Sequence, residues 1–353
     1  MSSIESIDKN FVVESSVERD GLTFHDVKSS PFRIYGVYHD GVQYRRLPKE
    51  VAEATNPGVV TLSTHTAGGR VRFITDSPYI VIKAMLKPRR MNHMALTGST
   101  GFDMYVRVDG EEIYKKTFIP TFTLPDCYDG VYDFPNKEER LITINFPLYN
   151  DVSEFYIGLS NDSKILPPPE YTVNKPIVYY GSSITQGGCA SRPGTCYQGF
   201  ISRKYDADYI NLGFSGNGRG EQSMAEYIAG LDMSVFVLDF DFNATDADHL
   251  MEVHEPFFKT VREKNPDLPI VMMSAPKAPP YLSASLLRRR DIIKTTYENA
   301  LAAGDKNVYF IPGNELMELA GNEGTVDTTH PTDLGFFSMA KRLEKELDKI
   351  FAK

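Results

Sequence analysis

Four short stretches hold residues that could do chemistry together. The first is Gly181-Ser182-Ser183-Ile184-Thr185-Gln186-Gly187-Gly188, which follows the apolar run Ile177 to Tyr180. A serine just past the carboxyl end of a parallel strand stands on the edge where open α/β sheets receive ligands, although taken alone the segment also reads as a polar loop. Near the other end, Asp327-Thr328-Thr329-His330-Pro331 precedes the last amphipathic stretch. A histidine can take the proton of a serine hydroxyl, and a carboxylate three residues earlier can hold the imidazole by its other nitrogen; a histidine before proline is also a common turn residue. Between these lie Asn211-Leu212-Gly213-Phe214-Ser215-Gly216-Asn217-Gly218 and Leu238-Asp239-Phe240-Asp241-Phe242-Asn243-Ala244, each at the end of an apolar run. Loops of this kind can offer a glycine N–H and an asparagine amide to a developing oxyanion.

The elements that must position these residues differ between the two halves of the chain. Beyond residue 170, strand-like runs (Ile177 to Tyr180, Tyr209 to Leu212, Val235 to Phe240, Ile270 to Met273, Val308 to Ile311) alternate with helical stretches. That is the pattern of an α/β domain with a parallel sheet covered on both faces. In the last helix Phe336, Ala340, Leu343, Leu347 and Ile350 form one apolar stripe, with Thr332 or Asp333 as the cap. From about residue 30 to 160 the period is two instead: Val71 to Phe73, Tyr79 to Ile82, Tyr105 to Val108 and Leu141 to Phe146 are short β-branched and aromatic runs. No helix is expected among them. Asp109-Gly110 reads as a two-residue hairpin turn, and the whole as a β-sandwich of jelly-roll type. Leu166-Pro167-Pro168-Pro169-Glu170 can neither continue a helix nor sit in a central strand, so the sandwich is placed at 1–168 and the α/β domain at 171–353.

Composition narrows the function. A chain of 353 residues exceeds the roughly 250–300 at which one core stops growing, which supports two domains. Against 47 acidic residues stand 38 basic ones, a net charge of −9 that disfavours a nucleic-acid or anionic-membrane partner. Arg288-Arg289-Arg290 reads as a solvated helix face. Three cysteines make no disulfide framework, so Cys189 and Cys196 are expected as packing thiols in a reducing compartment. With no leader pattern at Met1 to Asp8 and no long apolar run, a cytoplasmic address is expected. His249 and His254, five apart on one helix, are separated by about 500° of rotation and do not share a face, so no metal is expected. Arg192, in a loop soon after Ser183, stands either at the rim of a cleft or in solvent. Many aromatics suit sugar stacking, but the absence of Trp weakens the idea of a separate carbohydrate-binding platform.

The order of the four blocks resembles that of the SGNH or GDSL hydrolase superfamily. They correspond to Gly181-Ser182-Ser183-Ile184-Thr185, Gly213-Phe214-Ser215-Gly216-Asn217, Asp241-Phe242-Asn243-Ala244 and Asp327-Thr328-Thr329-His330. Ser182 stands where the family usually has Asp, and Ala244 where it usually has a second Asp. The resemblance implies Ser183 as nucleophile, His330 as base, Asp327 as its orienting partner, and Ser183 N–H, Gly216 and Asn243 as the oxyanion hole of a three-layer α/β/α domain. Gly101-Phe102-Asp103-Met104-Tyr105 is similar to the Gly-x-Asp-Leu-Tyr motif of a two-domain subgroup taken as carbohydrate esterases. It implies a cofactor-free serine esterase that deacetylates plant oligosaccharides of xylan or mannan type, with Arg192 as a candidate substrate contact. A lipase, a thioesterase, another small-ester hydrolase or an inactive glycan-binding protein is the alternative. The short, stiff proline connection suggests that the sandwich packs on the hydrolase and helps shape its cleft, while residues 171–353 suffice for small esters.

Overall fold

The protein is described from a computed structural model, which covers residues 17–352 apart from 88, 122, 124 and 280. The segment read above for a leader lies outside the described residues.

Alternating apolar residues build two antiparallel sheets. Leu22–Asp26, Val152–Ser160, Tyr79–Leu86 and Cys127–Asp133 form one in that order. Ile165–Leu166, Arg70–Thr75, Arg140–Asn145, Phe102–Val108 and Glu111–Phe118 form the other, with Arg33–Tyr35 also on Arg70–Thr75. Phe73, Ile82, Met104, Ile142, Ile144, Phe155 and Ile157 fill the space between them. Asp109 (φ 51°) and Gly110 (φ 85°) make the expected hairpin between Phe102–Val108 and Glu111–Phe118.

The expectation of no helix in this half is corrected by Lys49–Thr55, Pro57–Leu62 and Leu96–Ser99. Each is too short to reveal a 3.6-residue period. The second carries a cap signal in the sequence all the same: Asn56 Oδ1 accepts the Val59 N–H at 2.9 Å, and Pro57 occupies the first turn.

In the other half all five apolar runs become parallel strands, ordered Ala207–Gly213, Val173–Gly181, Val235–Asp239, Ile270–Met273, Val308–Ile311. Successive residues of the first strand point to opposite faces. Ile177 and Tyr179 meet Tyr197, Ile201, Phe336 and Leu343 on one side, while Val178 and Tyr180 meet Met224, Ile228 and Phe257 on the other. Thr332 caps the final helix Asp333–Phe351, accepting the Gly335 N–H at 3.5 Å. Strand order reverses on either side of Val173–Gly181, so the crevice at that strand's carboxyl end is the switch point where such sheets bind ligands.

The two halves share their cores. Leu47, Ala52 and Val59 are fully buried with Val178, Leu212, Phe214 and Met224, and Ala67, Met94, Leu148 and Tyr149 join the opposite face. Ion pairs reinforce the junction: Arg70 binds Asp208, and Arg107 Nη2 lies 2.5 Å from Asp206 Oδ1. Among the described residues no helix is long and apolar enough to cross a membrane.

Candidate active site

Strand Val173–Gly181 delivers the chain into a tight turn. A Cβ on Gly181 would lie 2.1 Å from the Asp239 carbonyl oxygen, so only glycine fits there. Ser182 then caps the short helix Ser183–Gln186. Its Oγ accepts the Ile184 N–H at 3.1 Å, and its own N–H donates to Thr185 Oγ1 at 3.1 Å. The serine found where the family has Asp therefore has a local task that a hydroxyl performs well. Ser183, the next residue, is half-buried, and its Oγ lies 3.0 Å from His330 Nε2.

His330 is held by the turn that carries it. Thr328 takes φ 67°, a left-handed conformation unusual for a β-branched residue. This bend lets Asp327 Oδ1 accept the N–H groups of Thr329 (3.0 Å) and His330 (2.7 Å), while Oδ2 accepts from His330 Nδ1 at 2.7 Å. Burial alone would raise the Asp327 carboxyl, but the hydrogen bonds from His330 and Thr329 outweigh it and hold the group down at about 2. An ionised Asp327 keeps the proton on Nδ1 and leaves the Nε2 lone pair facing Ser183, an assignment read from the hydrogen-bond network. Such a chain can take a proton from a hydroxyl and return it to a leaving group.

Register brings the other two blocks alongside. Gly181 is paired with Gly213 on one side and with Asp239 on the other, so both following loops open beside Ser183. Gln186 Oε1 accepts the Ser215 N–H at 3.0 Å and Asn211 Nδ2 donates to Thr185 O at 2.8 Å, tying the glycine loop to the serine turn. Gly216 is exposed at φ 68°. Asn243 Nδ2 donates to Phe214 O at 2.8 Å, which uses one amide hydrogen to fix the side chain and leaves the second for a ligand.

Two buried guanidinium groups brace these loops through carbonyl oxygens. Arg46, from the sandwich half, donates to Asn211 O (2.9 Å), Gly213 O (2.7 Å), His65 O (2.6 Å) and Leu62 O (2.7 Å). Burial draws it down to about 9, so it remains charged at neutral pH. Arg289 donates to Asp241 O and, at 3.0 Å, to Ala244 O, the carbonyls flanking Asn243. This corrects the reading of Arg288-Arg289-Arg290 as a solvated face, since only the outer two are solvent-facing.

Residues 174–348 match the GDSL-like lipase/acylhydrolase family, and residues 22–165 match the N-terminal domain of SGNH-hydrolase-type esterases. The structure of a protein from Bacteroides ovatus ATCC 8483, described as a GDSL-like lipase, is similar over 94% of this chain and 98% of that one, at 30% identity and a TM-score of 0.84. The chain belongs to the GDSL-like lipase/acylhydrolase family. Two further members of the fold are more distant. A salicylyl-acyltransferase from a tetracycline biosynthetic pathway shares 20% identity with TM-score 0.76, covering 94% of this chain and 98% of its own. An acetyl xylan esterase from the rumen bacterium Butyrivibrio proteoclasticus shares 14% identity with TM-score 0.59, covering 94% and 99%. Comparison with curated proteins finds no match.

In this GDSL-like acylhydrolase the Gly101 to Tyr105 motif is a junction. A Cβ on Gly101 would meet the Thr97 carbonyl oxygen at 2.5 Å. Asp103 is fully buried, and its Oδ2 accepts from Arg192 Nη1 and from the Gly194 N–H, both at 2.8 Å. Arg192 also binds the Tyr105 hydroxyl and lies over the Tyr114 ring at 3.9 Å. Its guanidinium is thus engaged in holding the loop after Ser183 against the sandwich. His254 is buried on Thr296 Oγ1 at 2.9 Å, and burial lowers it to about 3. Two residues near Ser183 carry no sequence signal because they come from the other half: the Tyr149 hydroxyl donates to Ser183 O at 3.1 Å, and the His93 ring lies 5.4 Å from that of His330.

Proposed function

We propose that the protein is a serine esterase that removes O-acetyl groups from xylan- or mannan-derived oligosaccharides. The unbroken chain from Ser183 Oγ through His330 to Asp327 carries this reading. Ser183 Oγ attacks the acetyl carbonyl while His330 Nε2 takes its proton. The oxyanion is met by the Ser183 and Gly216 N–H groups and the free amide hydrogen of Asn243. His330 then gives the proton to the departing sugar oxygen, which leaves an acetyl-serine. Water, deprotonated by His330, attacks that ester, and acetate departs as the proton returns to Ser183. A sugar as the alcohol portion is supported by the sandwich-plus-hydrolase layout, which the acetyl xylan esterase fold shares.

Hydrolysis of p-nitrophenyl acetate against the octanoate, followed by acetate release from acetylated xylo- and manno-oligosaccharides, tests the proposal. Preference for acetyl with release of acetate from oligosaccharide is expected. Faster turnover of octanoate would favour a lipase or thioesterase, and oligosaccharide binding without turnover of any ester would favour a glycan-binding protein.

A further inference from the structure

Beside Ser183 the two halves of the chain bring together three side chains for which the reaction above uses only one. His93 sits at the tip of a tight turn closed by the Met91–Met94 bridge, and from there reaches across to the His330 ring. Cys189 follows the Ser183–Gln186 helix at φ 75°, a left-handed conformation costly for any residue with a side chain. Its loop is fixed by the Gly188 N–H on Ser183 O (2.7 Å) and the Ala190 N–H on Gly187 O (3.1 Å). One ligand atom each from His93, Cys189 and His330 lies within 4.8 Å of the others.

We propose that His93, Cys189 and His330 form an inhibitory site for a borderline-soft divalent cation of the Zn²⁺ class. Two imidazole nitrogens and a sulfur are the donor set such ions prefer, and a tetrahedral ion with metal–ligand bonds of about 2.0–2.3 Å needs the donors about 3.3–3.6 Å apart. Starting from separations of up to 4.8 Å, the three groups must close by up to about 1.2–1.5 Å, a movement available to the exposed His93 turn. Since Asp327 holds Nδ1, the nitrogen of His330 open to the metal is Nε2. Coordination forms a bond on the lone pair that would otherwise accept the Ser183 proton. The Cys189 sulfur binds as thiolate, so one proton passes to solvent for each ion bound.

The inhibitory consequence rests on His330 being the general base, whereas the binding does not. Titration of the full chain with Co²⁺ separates the two. One equivalent should give a thiolate-to-cobalt charge-transfer band together with tetrahedral ligand-field bands. The band should persist in Ser183→Ala and in Cys127→Ser and disappear in Cys189→Ser. His93→Ala should weaken Co²⁺ at least about tenfold, the scale expected from removing a ligand. In esterase assays Zn²⁺ should inhibit the wild type, and EDTA should reverse it. His93→Ala and Cys189→Ser should retain basal activity and lose Zn²⁺ sensitivity by a similar factor. Absence of a one-to-one thiolate band overturns the site, as does Zn²⁺ sensitivity unchanged in both variants. A cobalt band that depends on Cys189, without inhibition by Zn²⁺, leaves the site standing and instead counts against His330 as the base.

Discussion

A serine hydroxyl is a weak nucleophile in water, and in the proposed mechanism its activation at position 183 depends on three atoms within two hydrogen bonds of it. Ser183→Ala should remove at least about 10³ of kcat with the fold retained, because only the oxyanion donors and binding remain. Ser182→Ala has a different cost. It loses the cap on the Ile184 N–H, about 1 kcal/mol of stability, and should leave kcat within about tenfold. A larger loss from Ser182 than from Ser183 in a p-nitrophenyl acetate assay would mean that the wrong hydroxyl has been identified. Asp327→Asn should lower kcat by about 10⁴, since an amide no longer enforces the imidazole tautomer. The carboxyl also links stability to pH. It falls from an ordinary 3.8 to about 2 on folding, so its stabilisation is complete above pH 3.8 and lost as pH drops through 2. Urea melts of wild type and Asp327→Asn should differ by a constant amount above about pH 4 and converge as pH falls towards 2. A gap that stays constant down to pH 2 would remove the Asp327 carboxylate from the account.

The proposed oxyanion donors depend on elements rather than on single residues. Asn243→Ala should lower kcat by about 10²–10³ with KM little changed, the usual cost of one lost donor. Arg289→Ala should act on the same turn indirectly, reducing kcat less than Asn243→Ala and adding nothing to it in the double variant, because both removals disable one donor. Additive losses would place Arg289 outside that pathway. The strands, the final helix and the four blocks were legible because each has a local cause: apolar runs for a sheet covered on both faces, a stripe at helical spacing, chemistry just past strand ends. Arg289 and Arg46 were not. Sequence treats a guanidinium as solvated, and its burial here is decided by backbone carbonyls that the fold gathers from loops far along the chain. The tie of Arg192 to Asp103 was hidden for a related reason, its partner being 89 residues away.

At the scale of the whole molecule, the sandwich is part of the hydrolase core, and this changes what a truncated protein should do. Reading the proline segment as a boundary suggested that residues 171–353 would keep activity on small esters. In the structure that fragment loses Leu47, Ala52 and Val59 from one face of its sheet, and Leu148 and Tyr149 from the other. It also loses Arg46 beneath the Gly213 loop and leaves Asp206 and Asp208 without their arginines. Each fully buried leucine contributes roughly 1.5–3 kcal/mol, and a whole domain is stable by only about 5–15 kcal/mol, so these losses are of the size of the stability itself. Expressed alone, residues 171–353 should show no cooperative thermal transition and no turnover of p-nitrophenyl acetate. Leu47→Ala in the full chain is the gentler version of the same test, expected to cost about 2–5 kcal/mol in urea unfolding while the catalytic chain stays in place. A fragment that melts cooperatively and hydrolyses p-nitrophenyl acetate at the full rate would show that the shared core is dispensable, and would return the sandwich to the status of an attached module.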